Sequence, residues 1–270
     1  MPRDRLPDTP APLMYSEYLK LEQLLSAQAP RSDGPEHDEM LFIVIHQVYE
    51  LWFKEILHEL DHLGRRLGAD DLASALGTLK RVLTILKVMV SQIDVLETMT
   101  PTEFLSFRDR LESGSGFQSV QFREFEFLLG AKRRAVVDHF PAGSAGRESL
   151  ERRYREPTLW DAVLHFLARR GVAVPEALLA RDVTQAPEPS PGLQEALIEL
   201  YRNDPTAIQL CERLVDLDEG VQEWRYRHVK MVQRTIGTRR GTGGSSGAEY
   251  LKGTLFHEVF PDLWAIRASL

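Results

Sequence analysis

Three long stretches of the sequence repeat their apolar residues at the spacing of an α-helix. We predict helices over residues 36–66, 71–97 and 205–233, none of which has an internal proline. No segment of the chain alternates apolar and polar residues in the way that predicts a half-buried strand. The sequence therefore predicts an all-α fold, a helical bundle without internal repeats.

The first predicted helix is unusually apolar in its N-terminal half. Residues 40–53 are apolar on nearly every side, which is typical of a helix surrounded by protein. His46 lies in this stretch, one helical turn from Phe42. Its imidazole is either a core side chain that hydrogen-bonds to a backbone carbonyl or part of a cofactor pocket between helices. His46 alone leaves both interpretations open.

A second histidine, His228, lies late in the predicted 205–233 helix among several arginines. Taken alone, these surroundings are typical of an exposed histidine. Together, however, His46 and His228 place one imidazole on each of two long helices, as a haem held between helices requires. A neutral imidazole ligates ferrous haem and leaves the opposite face of the iron free for oxygen.

Two further features could bind a ligand that carries a charged group. Phe104 and Arg108 are four residues apart and share a helix face, so the arginine could bind a carboxylate while the ring packs against an apolar group. The alternative is an arginine stem packed on a phenylalanine. Residues 241–247, which include Thr242, form either a loop that closes over a ligand or a disordered linker.

One local motif resembles a metal site. His58, Glu59 and His62 match the HExxH pattern, in which two histidines one turn apart bind zinc and the glutamate acts as general base. The charged Asp61 lies between the histidines, and no third ligand follows at short range. We therefore favour a solvated, ion-paired helix end over a zinc site.

The composition restricts the partners. The formal net charge of the 270 residues is -7, which does not predict binding to nucleic acid or to anionic lipid. The single cysteine, Cys211, excludes an internal disulfide and covalent c-type haem attachment. No stretch is apolar for long enough to span a membrane, and the first residues lack the apolar run of a signal peptide. We expect a cytoplasmic protein whose partners are small molecules or other protein chains.

The chain is predicted to form one domain, residues 1–270. Residues 1–13 are rich in proline, and residues 14–28 carry apolar positions at helical spacing, which predicts one amphipathic helix. Residues 131–192 are first basic and then rich in proline, so we expect a peripheral helical excursion there.

Five sequence strings make the chain similar to one known family. They are HDEMLFI at 37–43, HQVYELWFK at 46–54, LETMTP at 96–101, SGFQS at 115–119 and RGTGGSSG at 240–247. In content, order and separation these strings resemble the tryptophan 2,3-dioxygenase family, and only residues 131–192 match weakly. The resemblance implies an all-helical homotetramer that binds non-covalent haem b and converts L-tryptophan and O2 to N-formyl-L-kynurenine.

The resemblance also implies roles for individual residues. His228 matches the axial ligand of the haem iron, and His46 matches the distal histidine near the indole nitrogen. Phe42 matches a wall of the indole pocket, and Arg108 and Phe104 match the site of the substrate carboxylate. Thr242 matches the loop residue that contacts the substrate's charged groups. Ser115 and Gly116 match the backbone beside the haem.

The N-terminal segment has an implied role in another subunit. Tyr15, Tyr18 and Leu19 match a segment that docks on the neighbouring subunit and completes its substrate pocket. We expect residues 1–30 to dock in this way, so that the pocket depends on the oligomer.

The chain departs from the family's pattern at a few positions. Phe104 stands where some members have tyrosine, and Phe122 stands at a position that is often tyrosine. Ser16 with Glu17 replaces small residues seen in bacterial members. Two alternative functions stay open. A related haem enzyme that inserts one oxygen atom into a tryptophan derivative would need the same two histidines. A haem-binding sensor without turnover is the other, although a sensor has little need for Arg108.

Overall fold

The computed structural model describes residues 12–242 and 247–270. This part of the chain contains no β-strand, which confirms the predicted all-α class. The α-helices are α1 (Tyr15–Tyr18), α2 (Leu21–Leu25), α3 (His37–Gly68), α4 (Leu72–Leu96), α5 (Pro101–Phe107), α6 (Val120–Leu128), α7 (Arg134–Asp138), α8 (Ala145–Arg155), α9 (Leu159–Arg169), α10 (Glu176–Leu179), α11 (Pro191–Asn203), α12 (Pro205–Ile236), α13 (Ala248–Lys252) and α14 (Pro261–Ala265). Short 3-10 helices cover Arg108–Leu111, Gly116–Gln118 and Ile266–Ser269. Within the described residues, no helix combines the length and the apolarity that crossing a membrane requires.

The long helices α3, α4 and α12 form the centre of the bundle, in which α4 packs against both of the others. Along α3, Ile56, Leu60, Leu63 and Leu67 recur every three or four residues and are buried in the main core. Burial of one such side chain stabilises the fold by about 1.5–3 kcal/mol. The predicted bounds of these helices are confirmed to within three residues at each end.

Side-chain caps mark where α4 and α5 begin. Asp71 accepts a hydrogen bond from the backbone N–H of Ser74 at the start of α4. Thr100 and Glu103 form a capping box at the start of α5. Each cap of this kind stabilises its helix by about 1 kcal/mol. Because the α5 cap follows α4 after a short turn, Phe104 is placed beside the N-terminal half of α3.

The segment 131–192 is divided between two cores. Helices α7 and α8 pack with Phe127 into a small separate core, as a peripheral excursion would. Helix α9 differs from the prediction, because Trp160 and Phe166 are buried in the main core and α9 packs on α3. The peripheral position was predicted from the basic and proline-rich residues on either side of α9. The burial of α9 is determined by its own apolar face, which those flanking residues do not reveal.

The N-terminal residues form two short helices instead of the one predicted over residues 14–28. The chain breaks at Lys20, which adopts a left-handed conformation with φ of 52°. The side chains of Tyr15 and Tyr18 are 73% and 71% exposed. Isolated helices of this length are not stable in water, because one turn of hydrogen bonds does not offset the cost of nucleation. Residues 1–11 of the expected docking segment lie outside the described residues.

The apolar half of α3 is only partly covered. Ile45 and Phe53 are buried, but Met40, Val44 and Leu51 are exposed on the single chain. The prediction that protein surrounds residues 40–53 on every side is therefore wrong for one face within this chain. An apolar side chain can remain on the surface of a folded chain, so apolar residues on all sides of a helix do not show that the same chain covers every side.

Candidate active site

A large cavity lies between the N-terminal half of α3, α5, α6 and the C-terminal half of α12. Its volume is about 1710 Å³ when the part open to solvent is included. The predicted site residues that line it are Phe42, His46, Phe104, Arg108, Ser115, Gly116, His228 and Thr242. Tyr15, Tyr18 and Leu19 do not line the cavity of their own chain.

The His46 side chain makes a hydrogen bond to a backbone carbonyl and also lines the cavity. Its Nδ1 lies 2.7 Å from the backbone carbonyl oxygen of Phe42, one turn earlier on α3. A carbonyl can only accept, so Nδ1 carries the proton and Nε2 keeps its lone pair. Burial lowers the pKa of His46, although the Phe42 carbonyl and the nearby Glu50 carboxylate oppose the shift. His46 is therefore a neutral imidazole on the cavity wall with one nitrogen free to accept a hydrogen bond.

The His228 ring is positioned by stacking. It lies parallel to the indole of Trp224, with 3° between the planes and 5.3 Å between the centroids. Burial, and to a smaller extent the nearby His46, lower the pKa of His228 to about 4. Among the described residues, neither ring nitrogen has a hydrogen-bond partner. A neutral, half-buried imidazole without a partner is a suitable donor to a metal ion inside a cavity.

An aromatic cluster holds Trp224 in place. Its indole makes an edge contact with Tyr49 and Phe53, with 6.4 and 5.9 Å between ring centroids, and it contacts Phe122 at 5.2 Å. The Tyr49 hydroxyl donates to the carbonyl oxygen of Met89 at 2.7 Å, which ties this cluster to α4. Phe122 contacts the rings of Phe53 and Trp224, and the Arg123 guanidinium lies 5.1 Å from its centroid; none of these contacts requires a hydroxyl.

Phe104, on α5, and Arg108, at the start of the following 3-10 helix, form another part of the cavity wall. The Arg108 Nη2 donates to the backbone carbonyl oxygen of Arg240 at 2.6 Å, and its Nε is buried without a partner. Phe104 packs against Phe42 with 5.7 Å between centroids. The Thr242 hydroxyl donates to the carbonyl oxygen of Gly114. The predicted loop continues through residues 243–246, which lie outside the described residues.

A buried charge cluster on the cavity wall was not found from the sequence. Glu126 of α6 is 3% exposed and accepts hydrogen bonds from Arg123, Arg133 and Arg225. Arg123, Glu126 and Arg225 all line the cavity. The available signal was the pair Arg123 and Glu126, which lie three residues apart within a run of phenylalanines.

The HExxH residues serve the structure of the bundle. Glu59 pairs with Arg81 at 2.6 Å, and Asp61 pairs with Arg153 at 2.7 Å. His58 is exposed to solvent. Across residues 12–242 and 247–270, no three side chains among His, Cys, Asp and Glu are grouped so as to hold a metal ion. The ion pairs that the sequence favoured are observed, but Glu59 is buried and not solvated as expected.

The described residues form an all-helical bundle with a cavity lined by imidazoles from two helices, His46 of α3 and His228 of α12. The family model described as Tryptophan 2,3-dioxygenase matches residues 7–186 and 190–270. The chain belongs to the tryptophan 2,3-dioxygenase family.

Proteins named tryptophan 2,3-dioxygenase that are similar to it include one from Herpetosiphon aurantiacus, 61% identical over 258 residues that cover 96% of this chain and 98% of the relative. One from Anaeromyxobacter sp. (strain K) is 55% identical over 260 residues, covering 96% and 97%, and one from Caulobacter vibrioides is 45% identical over 262 residues, covering 96% and 98%.

Proposed function

We propose that this chain is a haem-dependent dioxygenase that cleaves the indole 2,3-bond of L-tryptophan with O2 and releases N-formyl-L-kynurenine. Family membership and the names of relatives that match nearly the full chain support an oxidoreductase that acts on tryptophan. The observation that carries the proposal is His228, a neutral imidazole without a hydrogen-bond partner in a cavity that also contains His46 and Arg108.

The residues of the cavity fit haem b. His228 would ligate the iron, and the backbone of Ser115 and Gly116 would border the porphyrin. A Cβ at Gly116 would meet no other atom within 4 Å, so this backbone adjoins open space. When bound, the haem supplies the activation of O2 and the electron chemistry of the reaction. The protein supplies position, an apolar enclosure and hydrogen bonds.

The substrate would be held by groups from three parts of the chain. The Arg108 guanidinium binds the carboxylate of tryptophan, with its unpartnered Nε available as a donor. Thr242 contributes a hydroxyl near the same charged groups, while Phe42 and Phe104 pack against the indole. His46 accepts the indole N–H at Nε2, because Nδ1 is already committed to the Phe42 carbonyl. In this position His46 orients the indole ring and excludes water without changing its own charge.

We further propose a cytoplasmic homotetramer in which residues 1–30 dock on a neighbouring subunit and place Tyr15, Tyr18 and Leu19 at its pocket. Two observations support this assembly. Tyr15 and Tyr18 are exposed on their own chain, and the exposed face of α3 around Val44 offers apolar surface for a partner. The backbone N–H groups of Arg31 and Ser32 donate to the Glu39 carboxylate, which fixes the direction in which the segment leaves α3.

The experiment that tests the activity uses isotopically labelled oxygen. Reduced, haem-loaded protein is incubated with L-tryptophan and 18O2, and the product is followed by its absorbance and its mass. We expect N-formyl-L-kynurenine with two labelled oxygen atoms. A product with a single labelled atom would indicate the single-oxygen enzyme instead. Haem binding without any tryptophan-dependent product would indicate a sensor.

A further inference from the structure

Three arginines surround one buried carboxylate where α6 and α12 meet the cavity. Glu126 accepts from Arg123 at 2.5 Å, from Arg225 at 3.1 Å and from Arg133 at 3.3 Å. Within the described residues, none of these arginines pairs with a second carboxylate. The cluster therefore carries an excess of two positive charges, although two of its guanidinium groups are mostly buried.

This excess is not removed by the other hydrogen bonds of the cluster. Arg123 donates from Nε to the carbonyl oxygen of Phe117, and Arg225 donates from Nη1 to that of Thr254. A carbonyl satisfies a donor but does not neutralise a charge. The Nε of Arg225 is buried and has no partner, and burial lowers the pKa of this guanidinium. Arg123 and Arg225 share the single carboxylate of Glu126, which leaves one buried positive charge unbalanced, so this arrangement favours a bound anion.

The position of the two buried arginines indicates where that anion lies. Arg123 and Arg225 line the cavity, whereas Arg133 does not and its side chain is 42% exposed. Arg225 lies three residues before His228, so the two share a face of α12. The anion would therefore be bound in the same cavity as the metal ligand and on the same side of α12.

We propose that Arg123 and Arg225 form a carboxylate-binding site that takes the two propionate groups of haem b. The inference rests on the proposed function. His228 would ligate the iron, and the two arginines would bind the propionates. The cavity wall offers two guanidinium groups for two carboxylates, and Arg123, Arg225 and Glu126 together leave one positive charge unbalanced there. The carboxylate of tryptophan is the other group that could bind to these arginines. The unpartnered Nε of Arg108, however, is already available as a donor to that carboxylate.

The test compares haem with haem dimethyl ester, in which both propionates are esterified and uncharged. The full chain is loaded with each compound, and the rate of loss to an excess of haem-free globin is measured by absorbance. We expect the wild-type protein to lose the ester about 10- to 100-fold faster than haem, because charge-assisted hydrogen bonds are lost. This comparison requires no substitution, so a variant that fails to fold cannot obscure it.

Substitutions then locate the effect. Arg225→Leu should release haem faster and should bring the two rates to within about threefold, since little charge recognition remains. Arg133→Leu is the matched control, because it removes a partner of the same Glu126 but lies outside the cavity. It should keep the wild-type difference between haem and ester. The affinity of haem-loaded Arg225→Leu for L-tryptophan should stay near that of the wild type.

The outcomes separate this inference from the proposed function. If wild-type protein holds haem and the ester equally well through His228, the carboxylate-binding site is wrong while the haem enzyme stands. A haem-to-ester difference that Arg225→Leu leaves unchanged would also overturn the assignment. Loss of tryptophan affinity in Arg225→Leu, with haem retention unaffected, would assign the arginines to the substrate. Failure of the wild-type chain to bind either compound would overturn the proposed function itself.

Discussion

The guanidinium of Arg108 donates a hydrogen bond to the backbone carbonyl oxygen of Arg240, with 2.6 Å between Nη2 and the oxygen. This bond joins the 3-10 helix Arg108–Leu111 to the chain just before Thr242, whose hydroxyl is bound to Gly114. The proposed carboxylate-binding side chain and the first part of the glycine-rich loop therefore hold each other in place. A change at Arg108 should affect both ligand binding and the loop.

Arg108→Leu should raise KM for L-tryptophan about 10- to 100-fold, because a charge-assisted pair with the substrate carboxylate is lost. Affinity for indole analogues without a carboxylate should change little. Amide hydrogen exchange at residues 239–242 should become faster, since the bond to Arg240 is lost as well. Arg110→Leu is the control, because Arg110 lies on the same 3-10 helix but pairs with the exposed Asp33. Equal losses for both classes of ligand would place Arg108 outside the carboxylate site.

Trp224→Leu should alter the spectrum of the iron-bound imidazole, because the parallel stack that fixes the His228 plane is removed. The iron–histidine stretching frequency of the ferrous protein should shift, and Trp224→Phe, which keeps an aromatic face, should restore most of it. Phe125→Leu is the matched control, since Phe125 packs on Phe53 in the same cluster but does not line the cavity. Each leucine variant should lose about 1–3 kcal/mol of stability. An identical frequency in all variants would show that Trp224 only fills space.

Glu39 should make the attachment of the N-terminal segment sensitive to acid. Burial alone would raise the pKa of Glu39, but hydrogen bonds from Ser32 and Arg31 hold it below the ordinary value of 4.5. Its stabilisation is therefore present above pH 4.5 and is lost as the pH falls through the lower folded-state pKa.

Glu39→Gln should accordingly be less stable than the wild type at pH 7, and the difference should shrink as the pH falls below 4.5. Urea unfolding at the two pH values measures the difference. Asp38→Asn changes the neighbouring carboxylate of the same helix turn and serves as the control. A wild-type advantage that persists unchanged at pH 3 would contradict the assignment of this effect to the Glu39 carboxylate.

Deletion of residues 1–22 should leave haem binding nearly intact, weaken L-tryptophan binding and destabilise the oligomer, because the segment is proposed to complete a neighbour's pocket. The sharper measurement uses mixed oligomers of two inactive kinds of subunit. One kind carries His228→Ala with an intact N-terminus, and the other lacks residues 1–22 but binds haem. Recovered activity in verified mixed oligomers is expected. Full activity of the truncated chain by itself would refute the shared pocket.

The framework of the fold could be predicted because it is determined locally. The bounds of α3, α4 and α12 follow from apolar spacing, and Asp71 and Asp204 cap the N-terminal ends of α4 and α12. The break at Lys20 could not be predicted in this way, because a non-glycine residue in a left-handed conformation leaves no signal in composition. The buried side of α9 was missed because its flanking residues are polar.

The candidate site depended on contacts between distant parts of the chain. The spacing of Phe104 and Arg108 alone indicated that they lie near each other. The roles of His46 and His228 could not be decided from spacing, and the family resemblance placed both residues in one site. The cluster of Arg123, Glu126 and Arg225 was missed because charged residues on helices are ordinarily solvated. Only the packing of α6 near α12 shows that these charges are buried together.

The central claim is that His228, and not His46, holds the haem iron. The measurement that tests it is the haem content and axial-ligand spectrum of His228→Ala, with His46→Ala purified in parallel. We expect folded His228→Ala protein that has lost most of its haem, because the only bond between protein and iron is removed. His46→Ala should keep its haem and the wild-type axial-ligand spectrum while turning over more slowly. Full haem content with an unchanged ligand spectrum in His228→Ala, or loss of haem from His46→Ala alone, would contradict the account.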